Sequence, residues 1–320
     1  MKSKVKYIRK IQFLFFFLLF SMLSSTIIAQ DMDVIEEKVK RKYVKNTFES
    51  VWIIDNQTSL VPIKGTFEFD IAHRFGVVKN GISDFWGLFA PSNIRFGVSY
   101  VPIENLNVGM GLTKDRMNVD GSLKYSILKQ TKDSWAIPIS VTYYGNYSYD
   151  AVEDPTANIF FHNTDRWRYF NQIIFARKVS EKLSVQAAAS ISHQNFVQGY
   201  VNQVDSITKE VAPEMKHDHF ALSFAGRFKI TESIALIANY DQPLTKHTLN
   251  NPNPNVAFGL DMGTSGHSFQ FYVGNYSALN PQKNNIFNKN NPFTYTNVKG
   301  ETVKGGNFVI GFTITRLWNL

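Results

Sequence analysis

The 320-residue chain contains no cysteine, and beyond residue 28 it has no apolar run long enough for a membrane-spanning helix. The missing cysteine excludes a disulfide-stabilised scaffold and a lipoprotein anchored through an N-terminal cysteine. Lipid offers no partner for unpaired backbone groups, so any later segment that spans a membrane must do so as β-strands.

The beginning of the chain has the pattern of a secretory signal peptide. Five basic residues within the first ten positions precede an apolar run over residues 11–28 and the small residue Ala29. The run is just long enough for a transmembrane anchor, but four Ser and Thr residues weaken its second half. We therefore expect a cleaved signal peptide over residues 1–29.

The basic charge of the chain belongs mostly to this leader. The formal net charge of +8 counts 34 basic and 26 acidic residues. Five of the basic residues and none of the acidic ones precede residue 30, which leaves about +3 for the remainder. Nucleic-acid binding requires a basic stripe or patch, so this slight excess does not indicate it.

The last fourteen residues, 307–320, alternate without interruption. Small or hydroxylated side chains dominate one face. The other is bulky and carries Phe308, Ile310, Phe312, Ile314, Arg316 and Trp318. A period of two indicates a strand with two different faces. Ten steps from Phe308 to Trp318 span about 33 Å, and a tilt of about 40° reduces this to roughly 25 Å, the height of the lipid-facing band of a transmembrane barrel.

The same alternation predicts twelve strands after a lead-in segment over residues 30–64. We expect one closed, antiparallel, up-and-down transmembrane β-barrel over residues 65–320. The predicted strands are 65–75, 93–101, 106–114, 118–128, 134–144, 166–178, 182–192, 219–229, 233–240, 256–262, 267–274 and 307–320.

The predicted connections alternate in length. Those after strands two, four, six, eight and ten are short, whereas those after one, five, seven, nine and eleven are long; only the third breaks the pattern. Short periplasmic turns and long extracellular loops are typical of outer-membrane barrels. One residue conflicts with this scheme. Pro138 lies in the fifth predicted strand and cannot donate to the ladder, so we expect a bulge or a local break in pairing there.

Several short motifs follow one another along these strands. They are His73-Arg74-Phe75-Gly76, Phe85-Trp86-Gly87-Leu88, Asn93-Ile94-Arg95-Phe96-Gly97, Lys124-Tyr125, Gln130 and Gly266-His267-Ser268-Phe269-Gln270. From residue 48 to the end, the chain resembles a domain-of-unknown-function family of β-barrel proteins from Gram-negative bacteria. This resemblance implies an outer-membrane barrel, and it implies no activity, cofactor, substrate or catalytic residue.

Charged residues of both signs fall on the predicted inward face. They are Glu68, Asp70, Arg74, Arg95, Asp120 and Lys124. One interpretation is a charged pore that selects a solute. The alternative, which we favour, is polar packing that braces the barrel, because buried charges must be paired with or without a ligand. We expect Arg95 to pair with Glu68 or Asp70.

The histidines give weaker signals. His217 and His219 could share a strand face as two metal ligands, but two ligands do not make a metal site, and solvated loop histidines are the better interpretation. His73 and His267 lie on the phenylalanine side of their strands, unless a bulge turns them inward. No role follows from the sequence for these two histidines or for Gln270.

Nothing in the sequence supports catalysis or a resident cofactor. The chain has no Gly-x-Ser-x-Gly motif, and Gly109-x-Gly111 lies within a predicted strand rather than before a helix. The asparagine-rich loop over residues 275–297 is most simply a flexible solvated loop, although it could also fold inward as a plug or meet an external partner.

These observations predict an outer-membrane barrel in contact with lipid, without enzymatic activity. The leading hypothesis is a channel or transporter for small polar solutes. The second is a non-conducting barrel that displays loops to partners, and a lipid-modifying enzyme ranks last. A twelve-stranded barrel is wide enough for either a narrow channel or a filled interior.

Overall fold

The computed structural model describes residues 42–132, 137–155, 159–203, 209–264, 266–296 and 300–319. The predicted signal peptide and the first part of the lead-in lie outside the described residues. Twelve antiparallel strands pair in chain order and close into a barrel through the ladder between the last strand and the first. The predicted fold class and strand number are therefore confirmed.

The barrel strands are 8 to 12 residues long. They are β1 Thr66–Val77, β2 Asn93–Ile103, β3 Leu106–Thr113, β4 Asn118–Leu128, β5 Ser140–Asp150, β6 Trp167–Lys178, β7 Leu183–Gln194, β8 Asp218–Lys229, β9 Ile234–Pro243, β10 Asn255–Gly263, β11 His267–Gly274 and β12 Val309–Asn319.

Alternating burial shows why these sequences form a wall with two faces. In β7, every second residue from Ser184 to Gln194 is buried against the lumen, and the residues between them face outward. The inward residues are Ser, Gln, Ala, Ser, Ser and Gln, whereas Leu183, Val185 and Ile191 face the lipid side. Polar inward and apolar outward alternation is the pattern of a membrane barrel.

The connections lie on two rims. One rim, here the short-turn rim, carries the described residues of the connections 104–105, 129–139, 179–182, 230–233 and 264–266, together with the start of β1 and the end of β12. The other, the long-loop rim, carries the described residues of the connections 78–92, 114–117, 151–166, 195–217, 244–254 and 275–308. The sorting of loops by length agrees with the prediction, including the short connection after β3, except at one place. The connection after β4 runs over residues 129–139 instead of 129–133 and is as long as the connection 244–254 on the other rim.

The fifth strand differs from its prediction in position. It runs over Ser140–Asp150 instead of residues 134–144. Pro138 therefore precedes the strand, where no ladder hydrogen bond is lost. Of the two expected outcomes, the bulge is wrong and the absence of pairing at Pro138 is observed. The facing is unchanged: Val141 and Tyr143 point outward, and Ser140 and Thr142 are buried inward. The strand thus starts after the proline, and the assignment of its side chains to the inward and outward faces is unchanged.

The remaining elements are short. Three 3-10 helices, Val78–Asp84, Asp115–Met117 and Asn163–Arg166, lie in connections on the long-loop rim, and one α-helix, α1 Pro281–Phe287, lies in the connection between β11 and β12. Two-residue strands pair as Trp52–Ile53 with Asn56–Gln57 and as Tyr295–Thr296 with Thr302–Val303, and Gly199–Gln203 pairs with Lys209–Pro213. Among the described residues, no helix is both long enough and apolar enough to cross a membrane.

Two segments occupy the interior of the barrel. Residues 42–64, here the inner segment, enter at the short-turn rim, turn at Ile54 and Asp55, and return to the rim before β1. The loop that carries α1 folds in from the long-loop rim. The apolar core lies around the inner segment, where Phe48, Ile53 and Ile54 pack with Tyr272, Tyr276 and small wall residues.

Candidate functional site

The candidate site is the filled lumen. All six charged residues assigned to the inward face are buried there: Glu68, Asp70, Arg74, Arg95, Asp120 and Lys124. They come from β1, β2 and β4, which are near neighbours in the barrel. Their contacts divide them into three groups, centred on Arg95, Arg74 and Lys124.

Arg95 lies between two carboxylates. Its Nη1 donates to Asp70 Oδ1 at 2.7 Å, and its Nη2 donates to Asp120 Oδ2 at 2.9 Å. Nε donates a third hydrogen bond, to Asp120 Oδ1 at 3.1 Å, so the contact between Arg95 and Asp120 is bidentate. Asp70 was one of the two expected partners of Arg95. Asp120 was identified as an inward charge without being recognised as a partner.

Two glycines make room for this side chain. Asp70, Gly97, Gly111 and Asp120 stand in one row across four neighbouring strands. A Cβ on Gly97 would lie 2.0 Å from Asp70 Oδ2, and a Cβ on Gly111 would lie 2.2 Å from Arg95 Nη2. A larger residue at either position would displace the Asp70 or Arg95 side chain, because the buried ion pair occupies the space beside these glycines.

Glu68 belongs to a separate group. Its Oε1 accepts a hydrogen bond from Trp52 Nε1 at 3.2 Å, which ties the inner segment to β1. Lys124 Nζ is buried and makes no hydrogen bond with the described residues. Glu68 and Lys124 line the same small cavity of about 20 Å³, which has room for one water molecule between them.

Arg74 holds the tip of the inner segment. Its guanidinium contacts Asp55 and Tyr272 through hydrogen bonds, and it lies over the Tyr272 ring at 4.4 Å and the Tyr276 ring at 5.6 Å. The backbone N–H of Ile54 donates to Gln270 Oε1 at 2.7 Å. Gln270 Nε2 in turn donates to the Trp52 carbonyl at 2.7 Å. Gln270, the last residue of the motif over residues 266–270, thus holds the inner segment in place.

Ile54 has a left-handed backbone conformation, with φ of 57°. A β-branched residue rarely adopts this conformation, which costs roughly 1–3 kcal/mol. The contacts of Gln270 and Arg74 hold the turn in place. The tip is therefore a strained turn stabilised by the barrel wall.

Further polar contacts fix the inner segment along its length. Arg227 Nη2 donates to Glu49 Oε2 at 2.7 Å while Arg227 Nε donates to Asp261 Oδ2 at 2.8 Å. Gln186 Nε2 donates to the Gln57 carbonyl at 2.8 Å. These are hydrogen bonds and ion pairs between an extended peptide and the wall, with no covalent link.

The α1 loop is bound to the opposite half of the lumen. Gln282 Nε2 donates to Asn146 Oδ1 and Ser148 Oγ, both at 2.9 Å. Lys283 Nζ lies 3.1 Å from Asp115 Oδ2 and 3.5 Å from Asp150 Oδ1. Pro281 fits the first helical position, where its missing N–H costs nothing. Most of residues 279–288 are buried, so the interpretation of this loop as solvated is wrong for that part, and the alternative of an inward plug describes it. Residues 293–296 of the same loop are exposed.

One wall carboxylate links the two inserted segments. Asp241 accepts from Asn56 Nδ2 at 2.9 Å and from Asn255 Nδ2 at 3.1 Å. Asn255 Nδ2 also donates to Asn285 Oδ1 at 3.2 Å, and Asn288 Nδ2 donates to Asn255 Oδ1 at 2.9 Å. This chain of amides connects the inner segment to the α1 loop through β9 and β10.

A cavity lies at each end of the lumen. The one at the short-turn rim measures about 800 Å³ and is lined by both ends of the inner segment. The one at the long-loop rim measures about 590 Å³ and lies between α1 and the surrounding loops. Lys283 and Arg168 line this second cavity with Phe160, Phe287 and Tyr276. The Arg95 and Arg74 groups lie in the layer between the two inserted segments.

The histidines lie outside this layer. His73 packs on Phe312 with ring centroids 5.1 Å apart, and His267 stacks on Phe269, so both face outward. The register shift in the ladder of β1 with β12 falls after Arg74 and does not turn His73 inward. His219 is buried, with Nδ1 2.9 Å from His247 Nε2, which corrects its interpretation as a solvated loop residue. Within the residues that the structure describes, no group of three or more acidic or histidine side chains could hold a metal ion.

A family of membrane-bound beta barrel domains (DUF5777) matches residues 48–318. The chain belongs to this family. The match begins at Phe48, so the family domain includes most of the inner segment as well as the barrel. No curated protein sequence matches the chain. Membership of this family places the chain in the outer membrane, as predicted, and assigns it no substrate.

The chain is also similar, at low sequence identity, to several solved structures. The NanC porin is 9% identical, with a TM-score of 0.44 over 79% of this chain and 99% of that one. The COG4313 outer membrane channel from Pseudomonas putida F1 is also 9% identical, with a TM-score of 0.43 over 81% of this chain and 97% of that one. The KdgM porin is 8% identical, with a TM-score of 0.39 over 78% and 98% of the two chains.

Proposed function

We propose that this protein is a gated outer-membrane channel for small polar solutes, closed in the present conformation by the inner segment and the α1 loop. The observation that carries the proposal is the pair of cavities, about 800 Å³ and 590 Å³, that open at the two ends of a polar lumen. A barrel with a purely structural role does not need a cavity at each end. A channel needs an entrance at each end and a constriction between the two entrances.

The nature of the closure supports gating. The inner segment is bound by hydrogen bonds and ion pairs as well as by its apolar side chains, and its turn holds Ile54 in a strained conformation. The polar contacts exchange readily with water when the segment moves, because every polar group that is released can be solvated. Strain at the tip lowers the free energy needed for that movement. The solute passes where the segment has withdrawn.

A reversible disulfide tests this proposal directly. Thr47 Oγ1 and Ser140 Oγ lie 3.4 Å apart, and the chain contains no other cysteine to interfere with the pair T47C/S140C. In planar bilayers, we expect the wild-type protein to conduct in brief openings. The oxidised double variant should show none, and a reducing agent should restore them. The single variant T47C is the control and should behave as wild type under both conditions.

The second candidate function is a non-conducting barrel that displays its loops. The dense packing of the lumen favours it, because Arg95 and Arg74 are both fully engaged with wall and inner-segment groups. Wild-type protein that never conducts at any applied voltage would establish this function instead. Steady conductance of the oxidised double variant would show that the inner segment does not close the barrel.

A further inference from the structure

A groove on the outside of the barrel lies where β8 and β9 meet the long-loop rim. It has a volume of about 740 Å³ and is lined by residues from the two strand ends and their loops. Two exposed apolar side chains form its lower part. Phe220 is 53% exposed and Leu244 is 52% exposed. Two lysines, Lys216 and Lys246, line its upper part.

The backbone places these four side chains on one outward face. The Leu244 N–H donates to the Phe220 carbonyl at 2.8 Å, which extends the pairing of β8 with β9 by one residue. The Lys216 N–H donates to the side chain of His247, at Nδ1, at 3.0 Å, which holds the two loops together above this pair. Phe220 is exposed on the lipid-facing side of β8. Along the same face the wall thus changes from apolar to basic at the level of the rim.

The groove has an excess of positive charge, because two lysines and one carboxylate line it. Neither Lys216 nor Lys246 has an ion-pair partner in the described part of the chain, and both are exposed. The acidic side chain in the groove, Asp218, is engaged with His193, whose Nδ1 lies 2.7 Å from Asp218 Oδ1. Thr248 adds a hydroxyl donor to the lining. The groove therefore presents two exposed ammonium groups next to an apolar surface formed by Phe220 and Leu244, here the apolar shelf.

We propose that this groove binds a phosphorylated lipid of the outer leaflet, with its phosphate between Lys216 and Lys246 and its acyl chains against Phe220 and Leu244. Long loops of such barrels lie on the extracellular side, which puts the groove at the headgroup level of the outer leaflet. Lysines at that level attract anionic headgroups. The apolar shelf distinguishes a lipid from a free anion, because a free anion gains nothing from Phe220 and Leu244.

The test uses full-length protein, delipidated in a non-ionic detergent. Dioctanoyl phosphatidic acid is the probe, and retained lipid is measured by native mass spectrometry. The double variant K216Q/K246Q should bind it about 30-fold more weakly, because each lysine contributes about 1 kcal/mol near an anionic lipid and 1.4 kcal/mol is tenfold. The matched control K132Q/K182Q removes two exposed lysines from the short-turn rim and should bind as wild type.

Two further probes distinguish the source of the phosphate. Dioctanoyl phosphatidylcholine should bind wild type and K216Q/K246Q equally, since it carries no net charge. Inorganic phosphate at the same concentration as the lipid should not displace it. Displacement by inorganic phosphate would overturn the proposal in favour of a free-anion site. Binding of phosphatidic acid to K216Q/K246Q within twofold of wild type would overturn it altogether.

Discussion

Arg95→Ala should lower the free energy of unfolding by about 3–5 kcal/mol, because it leaves Asp70 and Asp120 buried without their cation. Both carboxylates are within 3 Å of the guanidinium, at 2.7 and 2.9 Å, and neither reaches solvent. The loss is dominated by the unpaired carboxylates and only partly by the attraction that is removed. Reversible urea unfolding of the barrel in lipid measures it.

A second variant separates these two causes. Adding D70N and D120N to R95A removes the buried negative charges along with the cation, so the triple variant should recover most of the lost stability. Arg177→Ala is the control for loss of an arginine, because Arg177 is exposed on β6. It should change stability by less than about 1 kcal/mol. A triple variant less stable than R95A would show that the charges are not coupled.

Phe224→Arg should destabilise the barrel by about 2–4 kcal/mol, the cost of a charged side chain at the bilayer midplane. Phe224 is 47% exposed on the outward face at the middle of β8. Phe228 lies on the same face of the same strand, four residues nearer the short-turn rim, with the same exposed fraction of 47%. Phe228→Arg should therefore cost only about 0–1 kcal/mol.

The comparison of these two variants measures depth in the membrane. Both replace phenylalanine by arginine on one strand, so their difference cancels strand propensity and side-chain size. Equal losses in urea unfolding would mean that the membrane does not surround β8 as the alternating faces indicate. Ile139 is at the middle of the predicted fifth strand, 134–144, but the same experiment there would be uninformative, because β5 begins at Ser140 and Ile139 lies at the short-turn rim.

The wall of this barrel was predictable because each strand carries its own signal. Apolar and polar side chains alternate in β7 and β12 whatever their neighbours are, so the count, the facing and the sorting of loops followed from the sequence. The fifth strand was misplaced, because the alternation was extended through Pro138, which cannot donate to the ladder, whereas β5 begins at Ser140. The inward and outward assignment of the β5 side chains was nevertheless correct, because it depends only on their alternation along the strand.

The interior was predictable only in part. The inward position of Arg95 follows from alternation, but its contact with Asp120 depends on a register that aligns Gly97, Gly111 and Asp120 across three strands. The inner segment did carry a sequence signal for burial. Its apolar residues Phe48, Val51, Ile53 and Ile54 lie in a stretch that was predicted only as a lead-in, and all four are buried. The asparagines of the α1 loop gave none, because amides suit a solvated loop and a polar lumen equally well.

The central claim is that residues 42–64 lie inside the lumen, and thiol accessibility tests it most directly. The chain has no cysteine of its own, so the thiol reaction of a single-cysteine variant comes only from the introduced residue. Val51 is 2% exposed inside the barrel and Ile63 is 64% exposed at its rim. With a hydrophilic thiol reagent, V51C should react at least 100-fold more slowly than I63C, as expected for a site opened only by movement costing more than about 2.7 kcal/mol. Equal rates for V51C and I63C would place the inner segment outside the barrel and contradict the account.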